Sequence, residues 1–257
     1  MIDESPRLTF NTCNVIRQFL LPFLLALPAL IFTSCVEGEE EIWITPDGSG
    51  HLVAHYEIPS IALAQIGDPV DFVRAFTLID EREDEIQITD LSFIKKGSKA
   101  IFHLEATFKD AREILSISIR NEALFLAETG CDPEKIDGIA GAIDFEIKGL
   151  TPTYERTVSP SEIFPSIVSR RPKMLGASTF KYIIHLPAKV IETNAHEVTD
   201  DRKTVSWTFI LNEHFEAPMA MSFTMELPVP WWGWTILALL ALVLAWLIWR
   251  FIIRRFV

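Results

Sequence analysis

Only three cysteines occur in the 257 residues, Cys13, Cys35 and Cys131. If Cys13 leaves with a leader and Cys35 is modified, no intramolecular disulfide can form. Cys131 then reads as a small, partly buried apolar residue rather than a reactive thiol. Positive charge is short as well, since 23 Lys and Arg face 35 Asp and Glu for a net charge of −12. All the acidic residues except Asp3 and Glu4 fall between Val36 and Pro228. Such an acidic middle excludes nucleic acid as a partner, because phosphate neutralisation needs clustered Lys and Arg.

Signatures of chemistry are missing too. There is no Gly-x-Ser-x-Gly elbow, no Gly-rich phosphate loop and no His-Glu-x-x-His pair, so no catalytic residue is assigned and the chain reads as a non-enzyme. His51 and His55 have the spacing that binds zinc from a helix. Their context is a strand, where four residues span about 13 Å, too far for one ion. His103, His185, His196 and His214 share no ligand spacing, and the acidic run at residues 80–85 lacks the glycine and alternating oxygen ligands of a calcium loop. The segment at residues 131–138 fails similarly, with Ile136 in a ligand slot. The expectation is therefore no metal and no cofactor.

What the chain does have is apolar sequence gathered at its two ends, which explains a mean hydropathy of +0.25 in an acidic protein. From Arg17 a positive residue, an apolar run Phe19 to Phe32 and small residues before Cys35 follow the order of a secretory signal. About 14 apolar residues interrupted by Pro22 and Pro28 make a poor bilayer span, so a cleaved leader over residues 1–34 is expected. Thr33, Ser34 and Cys35 fit a lipoprotein cleavage site with Cys35 as the acylated first residue, whereas Phe32 departs from the aliphatic position. The stretch before Arg17 is long for a leader and carries Asp3 and Glu4; a true start near Val15 would account for it, and N-terminal peptide mapping tests that.

At the other end, Gly233 to Trp249 supplies about 17 uncharged residues, or roughly 26 Å of helix. Trp231, Trp232 and Trp234 at one end and Trp246 and Trp249 at the other match the aromatic belts of a membrane interface. Arg250, Arg254 and Arg255 follow the run, which puts the C-terminus in the cytoplasm by the positive-inside bias. The expected layout is a leader at 1–34, an extracytoplasmic domain at 35–230, a transmembrane helix at 231–250 and a cytoplasmic basic tail at 251–257.

Within the domain, Pro46-Asp47-Gly48-Ser49-Gly50 sits between two β-rich runs and predicts a hairpin. Asp68-Pro69 predicts a helix start, with Val70, Phe72, Val73, Phe76 and Ile79 as its apolar stripe. A second hairpin is expected about Lys96-Gly97-Ser98. Residues 114–120 alternate like a strand but follow a capping-box pattern, and both readings stay open. The Gly- and Pro-rich piece from Ala127 to Ser178 reads as long connections with short elements. Clear strands return at Phe180–Leu186, Val205–Leu211 and Met219–Leu227. Six to eight strands and two or three helices predict an α+β domain, a mostly antiparallel sheet with helices packed on one face, plus the one C-terminal transmembrane helix.

Cys35 at its seam, the early hairpin, and "LPAKVIETNAHEVTDDRKTVSWTF" at residues 186–209, followed by a terminal apolar run and basic tail, together resemble the LppM-type lipoprotein domain of bacterial cell envelopes. Ala188 stands where that pattern has glycine after the proline. The resemblance covers the first and last quarters of the domain and is loose in the middle. It implies an α+β extracytoplasmic domain with an apolar cavity suited to lipid-like ligands, and no catalytic residues to carry over.

The row Met219, Met221, Phe223 and Met225, with Trp207, is the candidate lining of such a cavity, since methionine adapts to variable apolar ligands. An ordinary sheet face under helices has the same pattern, and sequence does not separate pocket from core. The leading expectation is a non-catalytic binding protein of the bacterial cytoplasmic membrane. Its partners would be membrane lipid and a lipid-like ligand or another envelope protein. A scaffold that docks an envelope partner and a membrane-tethered hydrolase remain the alternatives.

Overall fold

The computed structural model describes residues 36–111, 122–131, 138–149, 151–170, 175–226 and 231–256. The expected leader, Cys35, the segment 114–120 and the side chains of Trp231, Trp232 and Trp234 lie outside the described residues.

Strand β1 (Glu37–Ile44) turns into β2 (Gly50–Pro59) through the expected hairpin, with Ile44 opposite Gly50. Asp47 organises the turn: its Oδ1 accepts from Thr45 Oγ1, from Ser49 Oγ at 2.8 Å and from Ser49 N at 3.2 Å. Helix α1 (Ser60–Ile66) leads to α2 (Pro69–Arg82). Asp68 caps α2 by accepting from Val70 N at 2.9 Å, with Pro69 at the first helical position. The stripe that α2 buries is Phe72, Ala75 and Ile79. Val70, expected in it, is 61% exposed, because two residues of helix turn it about 200° away from Phe72.

The second hairpin also forms as read. Strands β3 (Ile86–Lys96) and β4 (Lys99–Phe108) close around Gly97 and Ser98, and Gly97 takes the positive φ of 63° that such a two-residue loop demands. After α3 (Glu122–Thr129), however, comes a correction. Strands β5 (Ala142–Lys148) and β6 (Thr151–Val158) pair antiparallel within the stretch expected to be mainly connections. The inward phase of β6 is Pro152, Tyr154, Arg156, Val158. A proline and a charge in that phase break the apolar alternation by which strands are recognised.

Two short helices, α4 (Pro160–Ile163) and α5 (Pro165–Arg170), precede β7 (Thr179–His185), β8 (Val190–Thr193), β9 (Glu197–Val198), β10 (Thr204–Ile210) and β11 (Met219–Met225). The strands form a seven-stranded sheet in the order β3-β4-β2-β1-β7-β10-β9 and a four-stranded sheet in the order β5-β6-β11-β8. The single, mostly antiparallel sheet of six to eight strands is thus replaced by two sheets, and β1 with β7 is a parallel pair. Alternation marks which residues face inward and not which strand lies beside which, so the second sheet was invisible to it.

The α+β class holds, with more sheet than helix. Helices α1 and α2 cover the inner face of the larger sheet at β2, β3 and β4, while the smaller sheet faces it near β1 and β7, where Arg156 stands 5.0 Å over the Tyr182 ring. Gly38 is where β1 comes closest to its neighbours' rings. A Cβ there would lie 2.7 Å from Phe180 Cε1 and 2.8 Å from Tyr56 Cδ1.

The last element, α6 (Trp231–Phe256), is a 26-residue helix. Its described side chains run from 235 to 250, and from Ile236 to Trp249 the large apolar ones are between 48% and 67% exposed. Among the described residues no helix is long and apolar enough to cross a membrane. The described side chains are fewer than the 20 or so such a span needs, although the helical backbone continues on both sides.

Candidate ligand cavity

Strand β1 directs Gly38, Glu40, Ile42 and Ile44 inward, so that a carboxylate sits in an otherwise apolar phase. Opposite it, β6 directs Arg156 inward. The two are 7% and 6% exposed and form an ion pair across the sheets. Arg156 Nη1 donates to Glu40 Oε2 at 2.7 Å and Nη2 donates to Glu40 Oε1 at 3.3 Å. Arg156 Nε donates to Ala140 O at 2.7 Å and Nη2 to Ile139 O at 3.4 Å, while the Tyr56 hydroxyl donates to Glu40 Oε1. A charge pair this deep survives only when its remaining hydrogen-bonding capacity is met nearby, and here it is.

Electrostatics agrees with the geometry. Burial pushes the Tyr56 hydroxyl well above the usual phenol range, and the Glu40 carboxylate adds to it. Burial works to lower the Arg156 value, yet Glu40 and the surrounding tyrosines hold it well above the ordinary guanidinium range. Tyr182 is likewise raised by burial and then by Glu40. All three stay in their ordinary protonation state, and Arg156 meets Glu40 as an ion pair at 2.7 Å in an apolar setting.

This pair forms part of the wall of a cavity of about 190 Å³ beneath α1 and α2. Leu63 and Ile66 from α1, Phe72 and Phe76 from α2, and Ile58 and Phe102 from the sheet are among its apolar lining. Apart from Glu40, Arg156 and Tyr56, every lining residue is apolar. A second cavity of about 240 Å³ opens beside the β1–β2 turn, between Ile42 and Ile44 of the larger sheet and Phe145 and Tyr154 of the smaller one. Asp47 and Asp110 stand at its rim.

The residues singled out by sequence divide between these places. Phe223 and Met225 line the cavity beside the turn. Trp207, Met219 and Met221 are at most 2% exposed and belong to the packed core, lining neither cavity. Trp207 has a specific partner. Its Nε1 donates to Asn194 Oδ1 at 2.8 Å, and that oxygen also accepts from Ser222 N at 2.8 Å while Asn194 Nδ2 donates to Ala220 O at 3.0 Å. Asn194 thus clamps β10 of one sheet to β11 of the other, which gives the "TNAHEV" stretch its physical purpose. Trp246 and Trp249 are 55% and 67% exposed on α6.

On the outer face of the larger sheet, Trp43 is stacked between His51 at 4.2 Å and His185 at 4.9 Å. His185 Nε2 is 2.6 Å from Glu41 Oε1. His55 has turned to a different neighbour, His103, with ring centroids 6.1 Å apart. Among the described residues no group of three His, Cys, Asp or Glu is placed to hold a metal ion. Sequence reading missed Glu40, Tyr56 and Arg156 as a unit. The usable signal was a lone charge in the inward phase of an alternating strand, present once in β1 and once in β6.

No family model and no curated protein matches the chain. Among solved structures it is similar to the folded domain of Mycobacterium tuberculosis LppM determined by NMR, at 14% identity and a TM-score of 0.44, over 77% of this chain and 93% of that one. An M1 zinc metallopeptidase from Deinococcus radiodurans, bound to a Tyr-Ser-Ala substrate, is matched at 9% identity and a TM-score of 0.28, over 74% of this chain and 41% of that one. Another structure of that peptidase gives 8% and 0.26, over 75% and 41%. At TM-scores below 0.5 none of these likenesses carries weight for function. The chain is similar in fold to the LppM folded domain.

Proposed function

We propose that the protein is a non-catalytic binding protein of the bacterial envelope that takes up lipid or another apolar ligand. The observation that carries this reading is the cavity beneath α1 and α2, apolar except for a charge pair that neutralises itself. A core selected only for stability would fill such a space, since interiors pack densely and voids cost free energy. At about 190 Å³ it lies below the 300–1,000 Å³ or so of sites for whole drug-sized ligands. It suits the end of one aliphatic chain.

The location belongs to the same proposal. The half-exposed apolar side chains of α6 have no cover among the described residues, and a bilayer would supply it. The domain then sits outside the cytoplasmic membrane, with the Arg250 end inside. Acylation of Cys35 is the second tether. Val36 is fully buried, its N–H donates to Ser178 Oγ at 2.8 Å and its carbonyl accepts from Thr179 N at 3.0 Å. A lipid on Cys35 would therefore hold the domain against the membrane without a linker.

The test is mass spectrometry of the purified full chain under native and delipidated conditions. The expected result is a bound apolar molecule, or its uptake by the stripped protein. A protein that carries none and takes up none would sink the reading. Fatty-acid labelling compared between the native chain and Cys35→Ala decides the second tether separately.

A further inference from the structure

The polar chemistry of the cavity beneath α1 and α2 is confined to Glu40, Arg156 and Tyr56, and its hydrogen-bonding capacity can be counted. A guanidinium has five N–H donors. Arg156 directs four of them to two Glu40 oxygens and to the carbonyls of Ala140 and Ile139. The charge of the cation is already compensated by Glu40 at 2.7 Å, so a second anion would find no net positive charge here. The carboxylate differs, since it offers about four acceptor sites. Oε1 accepts from Tyr56 and from Arg156 Nη2, whereas Oε2 accepts from Nη1 alone. One acceptor position on Glu40 Oε2 remains.

Resting on the reading of the domain as a binder of apolar ligands, we propose that this cavity selects uncharged aliphatic molecules bearing a hydroxyl, which donates to Glu40 Oε2. Carboxylates and acceptor-only esters are disfavoured. A carboxylate would place a second buried negative charge beside Glu40 with no unengaged cation to meet it. It can enter as its neutral acid, but for a carboxyl titrating near 4.3 that lowers the competent fraction at pH 7 by roughly 100-fold or more. An ester is uncharged but offers only acceptors, and it leaves the open position on Oε2 unused. A protonated amine would donate, yet it would bring a second cation to a site that Arg156 already neutralises.

The experiment uses the full chain in lipid nanodiscs with ¹³C-labelled Ile and Leu methyls, titrated with 1-decanol, decanoate and methyl nonanoate. Ile58, Leu63 and Ile66 report on the cavity, and Ile183, on the other phase of β7, is the control. Decanol is expected to shift the three cavity methyls with a Kd at least tenfold below that of decanoate at pH 7. The gap is expected to narrow at pH 5, as the acid form becomes available. Decanoate binding as tightly as decanol at pH 7, or the ester matching decanol, would overturn the selectivity and leave ligand binding intact. No shift at the cavity methyls with any of the three would overturn the binding reading as well. Glu40→Gln leaves Arg156 uncompensated and is expected to reverse the order of decanol and decanoate; an unchanged order in the folded variant counts against the proposal. Should that variant not fold, the titrations of the native chain decide the matter.

Discussion

The interior has two halves that are chemically alike and physically different. Trp207, Met219 and Met221 are at most 2% exposed, and the polar need of the indole N–H is met by Asn194. Beneath α1 and α2 the walls are as apolar, yet they border a cavity of about 190 Å³ and an ion pair is set into the wall. Composition does not distinguish the halves. Packing does, because the smaller sheet faces the first half while α1 and α2 roof the second. A packed half gives stability and a loosely roofed half gives room.

The largest way to break that contrast is through the ion pair. Arg156→Met strands Glu40 in an apolar wall, and loss of one partner of a buried pair costs about 3–5 kcal/mol. Urea unfolding should show a drop of that size. The double variant Glu40→Leu, Arg156→Met should recover most of it, since a well-packed apolar replacement removes the desolvation cost on both sides. If the double variant stays as unstable as the single, the pair contributes through something other than charge compensation.

Truncation sharpens the comparison directly. Met221→Ala in the packed half should cost about 3 kcal/mol, the middle of the range for a buried methionine that leaves a new void. Ile58→Ala in the cavity wall, where the side chain is only partly buried and already borders the cavity, should cost about 1–2 kcal/mol on the same scale. Equal losses would mean that the space beneath α1 and α2 collapses and that the two halves are packed alike.

Much of this fold was legible because its signals are local. Asp47-Gly48 and Gly97-Ser98 placed two hairpins, and Asp68-Pro69 placed the start of α2, since a turn or a cap is made by residues adjacent in sequence. The second sheet was not legible. Its strands β6, β8 and β11 pair across stretches of other structure, and Pro152 and Arg156 disguise β6 as a connection. The site was legible only in kind. The methionine row pointed to apolar surface facing inward, but whether that surface meets a side chain or a space depends on what packs opposite. Phe223 and Met225 meet a space, whereas Met219 and Met221 do not.

The roof of the loose half hangs on a cap. Asp68 satisfies the Val70 N–H at 2.9 Å, and Asp68→Ala should lower stability by about 1 kcal/mol, the usual loss for an N-cap. Because α2 supplies Phe72 and Phe76 to the cavity, the same variant should weaken uptake of an apolar ligand more than Met221→Ala does, although it destabilises the domain less. The reverse order would show that α2 does not form the roof of a binding site.

The smallest effect belongs to the β1–β2 turn at the rim of the other cavity. Hydrogen bonds from Thr45, and then from the Ser49 hydroxyl and N–H, hold the Asp47 carboxyl down at about 2, against an ordinary value of 3.8. All three favour the charged form, so the folded state binds the proton less readily than the unfolded chain. The turn's contribution is therefore complete above the ordinary carboxyl value and fades as pH falls through 3.8 toward 2. Asp47 is fully exposed, which keeps the effect on overall stability slight. Its signature is local: a ¹³C carboxyl titration should place the Asp47 midpoint near 2, and Thr45→Ala, which removes the strongest of the three bonds, should move it up toward 3.8. A native midpoint already near 3.8 would mean that Asp47 does not gather these donors, and that the rim of this cavity is less firmly set than the wall holding Glu40 and Arg156.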